Sequence, residues 1–125
     1  MSGGGDDIVK LFMTTGFALP FSVLSTMSYE TGVEQKLFMT AAPIEEGESI
    51  YTSVIWRNDD VSALVEPGRT IADEVIDLEI AVVLEDQTML EKLNGQLPLE
   101  QGALVDVQSD KPSLEWRRRY KKLVD

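Results

Sequence analysis

The stretch IAVVLEDQTMLEKL, residues 80–93, begins as an apolar run and then sets Glu85 and Asp86 into the same pattern. Adjacent carboxylates can serve as general acid and base, or as oxygen donors to a metal ion. An ionised carboxylate among apolar side chains is costly unless it finds a proton, a cation or a metal. Helix phase decides which of the two is so placed. With Val82 at zero and about 100° per residue, Ile71, Val75, Leu78, Met89 and Leu93 fall within about 40° of it, and Asp86 lies at about 40° on the same stripe. Glu85 lies near the other edge, at about −60°. Asp73, Asp77 and Glu91 occupy the opposite, polar side. Two readings of Asp86 stand at this point. Either the helix emerges near Val82 and Asp86 is solvated, as aspartates usually are, or Asp86 faces inward as a ligand or catalytic carboxylate.

The rest of the composition narrows the chemistry. The chain of 125 residues contains no His and no Cys. That removes the commonest general base and transition-metal ligand, together with disulfides, thiolate nucleophiles, zinc–thiolate sites and thiolate-held clusters. Asp, Glu, Lys, Tyr, Ser and Thr remain, and no Ser, Lys or Tyr set has catalytic spacing. The net charge of −11 disfavours nucleic acid. It is unevenly spread: residues 1–110 carry 20 acids and 5 bases, residues 111–125 carry 6 bases and 2 acids. No apolar run is long enough to span a membrane, and MSGGGDD lacks the n- and h-regions of a signal peptide. A cytoplasmic location is expected. Gly3 to Gly5 follow no strand and precede no Lys-Ser/Thr, so they are not a phosphate loop.

Positioning Asp86 requires a scaffold, and the chain supplies one domain of the α+β class. FALPFSVLSTMSY (17–29) alternates in period two, with Pro20 at an edge or in an extended approach. ETG (30–32) reads as a hairpin turn, QKLFMTAAPI (35–44) as a second strand, EEGE (45–48) as a second turn and SIYTSVIWRN (49–58) as a third strand. These make an antiparallel meander. A polar loop (59–69) leads to a helix from Thr70 to Leu93, with Thr70 as N-cap, acids in the first turns and Asn94-Gly95 as the stop. ALVDVQ (103–108) is short strand or extended chain. A last helix opens at Asp110 or Ser113, with Pro112 in its first turn. Residues 1–16 read as a flexible lead-in and 17–125 as the domain.

In this order (meander, long helix with VLEDQTMLEKL, loop, VQSDKPSLEWRRRYKKLV) the chain resembles the C-terminal part of the oxygenase component of Rieske non-haem iron oxygenases. The carrying motifs are ED followed by xxxLE on a long helix, a closing S-D-…-RR…L segment, and QKLFMTAAPIEEGESIYTSVIWRND with its Pro before an acidic turn. The resemblance covers roughly residues 17–125. It implies the second half of a helix-grip (START/Bet v 1-like) fold, a curved antiparallel sheet around a long helix. It further implies a parent enzyme that hydroxylates or oxidatively demethylates an aromatic or similar apolar substrate with O2. That parent would be a mono- or dioxygenase carrying mononuclear Fe(II) and a [2Fe–2S] cluster, fed by a reductase or ferredoxin. By position, Asp86 matches the iron carboxylate, with Glu85 its neighbour.

This chain departs from the family's pattern in lacking both His iron ligands and all cluster ligands. Alone it is expected to hold no cofactor and to be inactive, a piece whose partner is the missing N-terminal half of the parent; the Gly-rich start favours truncation. Two alternatives come from other classes. One is a stand-alone helix-grip module holding an apolar small molecule without metal. The other is a subunit-assembly domain, in which acidic body and basic tail, or an exposed sheet edge, join copies into a homo-oligomer. WRRRYKK (116–122) is the motif most suggestive of nucleic acid or anionic lipid. Trp116, Tyr120 and Leu123 nevertheless form an i, i+4, i+7 stripe, making the aromatics the packed face and the cations the solvated one. The five Met are scattered and read as core filler. With no metal present, an inward-facing Asp86 predicts that Asp86→Leu stabilises the chain by about 1–3 kcal/mol.

Overall fold

The computed structural model describes residues 9–93, 98–100, 102 and 105–125. The chain divides into two compact units. Residues 59–98 form one, and the segments on either side of them form the other.

The larger unit is a four-stranded antiparallel sheet in simple sequential order. Its strands are β1 (Leu11–Ala18), β2 (Ser22–Tyr29), β3 (Glu34–Glu45) and β4 (Glu48–Arg57). The meander of the sequence reading is present, with one strand more. β1 pairs with β2 along its whole length, from Leu11↔Tyr29 to Ala18↔Ser22. The lead-in boundary at residue 16 therefore falls inside a strand, and residues 17–29 are two strands joined by a turn. The turn holds a cis Leu19–Pro20 bond. LFMTTGFA escaped the period-two criterion because it carries large apolar residues on both faces, leaving no alternation to read.

Register sorts the side chains. Thr15, Ser25, Leu37 and Ile55 stand in one row across the sheet, and Gly16, Leu24, Phe38 and Val54 in a row on the opposite face. Ser25 and Leu37 are the buried members of the first row. The Ser25 hydroxyl is satisfied by Thr15 Oγ1 at 2.9 Å, the kind of cross-strand pair that lets a polar group sit inside. Leu24, Phe38 and Val54 in the second row are exposed. Both hairpin turns predicted from ETG and EEGE are found, with Gly32 and Gly47 at φ of 88° and 82°, values glycine adopts without steric cost. Asn58 ties off the open end, accepting from Glu34 N–H at 2.8 Å and donating to the Gly32 carbonyl at 3.2 Å.

This unit ends in α2 (Lys111–Val124), preceded by a 3-10 turn at Gln108–Asp110. Asp110 is the N-cap residue, as one of the two options foresaw, but its carboxylate turns back to accept from Val107 N–H at 2.9 Å. Val105 to Val107 hold no regular strand. Residues 103 and 104 of that predicted segment, with Asn94-Gly95 and the glycines at 3–5, lie outside the described residues.

The smaller unit holds a short ladder, β5 (Leu64–Glu66) with β6 (Arg69–Thr70), and the long helix α1 (Ile71–Leu90). Its start is the predicted one. Thr70 Oγ1 accepts from Asp73 N–H at 3.3 Å, while the Asp73 carboxylate accepts from Thr70 N–H at 2.8 Å, a reciprocal box that satisfies two orphan donors. The Thr70 backbone N–H, foremost, and the Thr70 hydroxyl, which donates to the same carboxylate at 2.7 Å, hold the Asp73 carboxyl below the usual carboxylate range. The next two N–H groups, of Ile71 and Ala72, reach the carbonyls of Ala63 and Val61 at 3.0 and 2.9 Å. The helix ends three residues before the expected Leu93 and continues as a turn. Among the described residues no helix is long and apolar enough to cross a membrane.

Candidate functional site

Asp86 and Glu85 sit in the C-terminal half of α1, each on the side that helix phase assigns to it. No residue of α1 is buried. Val82 is 45%, Leu78 67% and Met89 58% exposed, so the stripe on which Asp86 lies is open. Asp86 is itself exposed in this chain, which is the solvated one of the two readings that the sequence left open. The amphipathic pattern marks the face an element can bury, whereas burial needs an opposing surface. Among the described residues Asp86 has no hydrogen-bond or ion-pair partner. The two polar residues that follow it in sequence are otherwise occupied: Gln87 donates to Glu91 at 2.6 Å, and Thr88 Oγ1 donates to the Leu84 carbonyl at 2.8 Å.

The donor set of this chain falls short of an iron centre. The chain contains no His or Cys, and among the described residues no group of three His, Cys, Asp or Glu side chains converges. Asp86 is a single carboxylate, and Glu85 points about 100° away around the helix. One oxygen donor does not retain iron(II), which favours two imidazoles and a carboxylate on one face.

Sequence reasoning missed a second feature. A cleft of about 450 Å³ opens between α2 and the β1–β2 turn, walled by Phe17, Pro20, Phe21, Val23 and Trp116 with Ser113 at the rim. Its volume lies in the range of small-ligand sites. Trp116 and Tyr120 stack at 4.8 Å between centroids, and Tyr120 meets Phe21 at 5.7 Å. Of the predicted packed stripe, Trp116 and Tyr120 do pack, whereas Leu123, one turn on, is 63% exposed. Pairing with residues almost a hundred positions upstream has no sequence signal.

The cations of α2 divide in a way the stripe did not foretell. Arg117 is buried, 8% exposed, where a solvated face was expected. Its Nη2 meets Asp106 Oδ1 at 3.1 Å and Ser113 Oγ at 3.4 Å, while Nη1 has no partner. Arg118 and Arg119 are outside, and both donate to Glu115, at 2.6 and 2.5 Å to its Oε1. Those hydrogen bonds pull the Glu115 carboxyl down to about 2, with Arg118 the larger influence, and raise the Arg118 guanidinium in turn. Arg119 also lies over the Phe17 ring at 5.6 Å, a cation–π contact. Most of the basic tail is thus engaged within its own unit, against the nucleic-acid reading.

Compared with known proteins, the chain matches no curated protein and no solved structure. A family model does match, described as the vanillate O-demethylase oxygenase C-terminal domain, and it covers residues 1–125. The resemblance drawn from the ED helix, the meander and the S-D-…-RR…L ending agrees with that match. The chain therefore belongs to the family of vanillate O-demethylase oxygenase C-terminal domains, and is the C-terminal domain of a Rieske-type oxygenase.

Proposed function

We propose that this domain supplies one ligand, the carboxylate of Asp86, to the mononuclear iron centre of a cytoplasmic Rieske-type oxygenase. The parent enzyme uses O2 to hydroxylate or oxidatively demethylate an aromatic or similarly apolar substrate, and a reductase or ferredoxin provides the electrons. The observation that carries this reading is the family match along the whole chain. The local features of α1 support it. Asp86 lies on an open apolar stripe, and no side chain among the described residues claims its oxygens. A carboxylate left free on a face suited to burial is available to a cation held from the other side.

The two His ligands and the ligands of the [2Fe–2S] cluster belong to parts of the parent outside this chain. Bound iron supplies the activation of O2. This chain's share is the oxygen donor, the apolar α1 surface beside it, and the N-terminal capping box that holds the helix in register. By itself the chain is inactive, because one carboxylate retains no iron.

The test uses the full-length oxygenase. Asp86→Ala is expected to abolish substrate turnover and remove the mononuclear iron while the visible spectrum of the [2Fe–2S] cluster persists. Glu85→Ala, a turn-edge neighbour out of phase, is expected to keep its iron. An unchanged iron content in the Asp86 variant would overturn the assignment.

A further inference from the structure

The cleft beside α2 has a floor, two walls and a polar corner. Phe17 and Val23 face each other across the β1–β2 ladder and line the floor with Ala41. Val23 pairs with Met39, so Ala41 projects from the same face of the sheet. β2 and β3 pair only as far as Ser22↔Thr40. Just past that point the Ala41 N–H donates to the Phe21 carbonyl at 3.2 Å, and a methyl group stands where a larger side chain would close the space. One wall is the β1–β2 turn, with Pro20 and Phe21, and the other is Trp116. The indole is held twice, its N–H by the Pro20 carbonyl at 2.9 Å and one ring face by Tyr120. A side chain already fixed in this way loses little rotamer freedom when a ligand binds.

Ser113 supplies the polar corner. Its oxygen accepts from Arg117 Nη2 at 3.4 Å, and a guanidinium offers no acceptor in return. The guanidinium is buried and fixed by Asp106 at 3.1 Å, so it stays behind the serine. Among the described residues the Ser113 hydroxyl hydrogen has no acceptor, and it is left to donate outward at the edge of an apolar space. No ionisable side chain lines the cleft among the described residues.

We propose that this cleft binds a neutral aromatic molecule carrying one hydrogen-bond acceptor, such as an aryl ketone. The ring lies between Trp116 and the Phe17–Val23 floor, and the carbonyl oxygen accepts from the Ser113 hydroxyl. Aromatic walls favour a ring, in offset or edge-on contact, over an aliphatic chain. A lining without ionisable groups selects neutral ligands, because a charge would be desolvated there with no counter-ion. Every lining residue belongs to the larger unit and none to α1, so the cleft stands whether or not Asp86 serves iron.

The experiment is a titration of the complete, nitrogen-labelled chain with acetophenone, followed in proton–nitrogen correlation spectra, with circular dichroism confirming the fold of each protein. The indole N–H of Trp116 and the amides of Ser113 and Ala41 are expected to shift together and saturate, with a dissociation constant on the order of 1 mM. The indole of Trp56, which lies under Lys36 at 5.4 Å and lines no part of the cleft, is expected to stay in place. Ser113→Ala is expected to weaken acetophenone about fivefold, the worth of one hydrogen bond. The same variant is expected to leave ethylbenzene, which has nearly the same shape without the oxygen, unaffected; a merely structural role for Ser113 would move both ligands alike. Ala41→Phe fills the floor and is expected to abolish binding of both. The proposal is overturned by a Trp116 signal that does not respond up to the solubility of the ketone, or by a Trp56 signal that shifts in parallel. It is equally overturned by undiminished binding to the Ala41→Phe chain, or by a Ser113→Ala chain that weakens both ligands alike or neither.

Discussion

The indole N–H of Trp116 donates to the carbonyl of Pro20 at 2.9 Å. This bond joins α2 to the turn between β1 and β2, and both residues line the apolar cleft. The Pro20 carbonyl lies in a turn, outside the sheet ladder, and the indole gives it a partner. Trp116→Phe keeps an aromatic ring against Tyr120 but removes the donor together with the fused five-membered ring that carries it. It is expected to lower stability by at least about 1 kcal/mol, the net contribution of one such bond. Urea unfolding with an unchanged slope checks this; no shift in midpoint would mean that water replaces the indole without loss.

The Arg117–Asp106 pair holds α2 to the extended segment before it, and both side chains are largely shielded, at 10% and 18% exposure. Removing one partner leaves the other charge desolvated. Asp106→Asn or Arg117→Met is therefore expected to cost about 3 kcal/mol. The double variant Asp106→Asn with Arg117→Met should cost clearly less than the two singles together, because it leaves no stranded charge. A double-mutant cycle by denaturant titration reads the coupling, and strict additivity would show that the pair is not energetically linked.

Acid should loosen the surface of α2. The Glu115 carboxyl, held down by Arg118 and then Arg119, titrates at about 2 in the folded chain, against an ordinary value of 4.5. The unfolded chain thus takes up the proton first as pH falls. The stabilisation is complete above about 4.5 and is lost progressively as pH drops through about 2. Carboxyl-carbon NMR of Glu115 is expected to show that low midpoint in the folded protein. A midpoint in the ordinary glutamate range would mean that solvent and salt screen the two guanidinia.

Asp86 makes the opposite case, because it is already in water. In the isolated chain Asp86→Leu is expected to change stability by less than about 0.5 kcal/mol, as exposed positions generally do. The gain of about 1–3 kcal/mol that belongs to an inward-facing carboxylate is not expected at an exposed one. A measured stabilisation above about 1 kcal/mol would show that the isolated chain covers this side of α1.

Much of the architecture was legible because it rests on neighbours in sequence. Period-two alternation located the second half of the 17–29 segment, and the runs between Gly-containing turns, β-branched and aromatic in residues 49–58, located β3 and β4. Gly32 and Gly47 marked the hairpins, and Thr70 with Asp73 marked the start of α1, since a capping box is made within four residues. The ED helix, the meander and the closing S-D-…-RR…L together pointed to the family. The absence of His and Cys, read directly from the sequence, already excluded a complete iron centre on this chain.

Tertiary structure decided what depends on distant partners. β1 is a strand because β2 offers it a full register, although its own residues do not alternate. Arg117 is buried because Asp106 and Ser113 receive it, while Arg118 and Arg119, next to it in sequence, face Glu115 outside. Phe21, Trp116 and Tyr120 form one cluster only once the chain has folded. Periodicity named the face of α1 fit for burial, but an inward side requires an opposing surface, and the exposure of Asp86 and Val82 comes from the coordinates. Local sequence sets backbone conformation and the side a residue shares with its neighbours; what lies across from that side is a property of the fold.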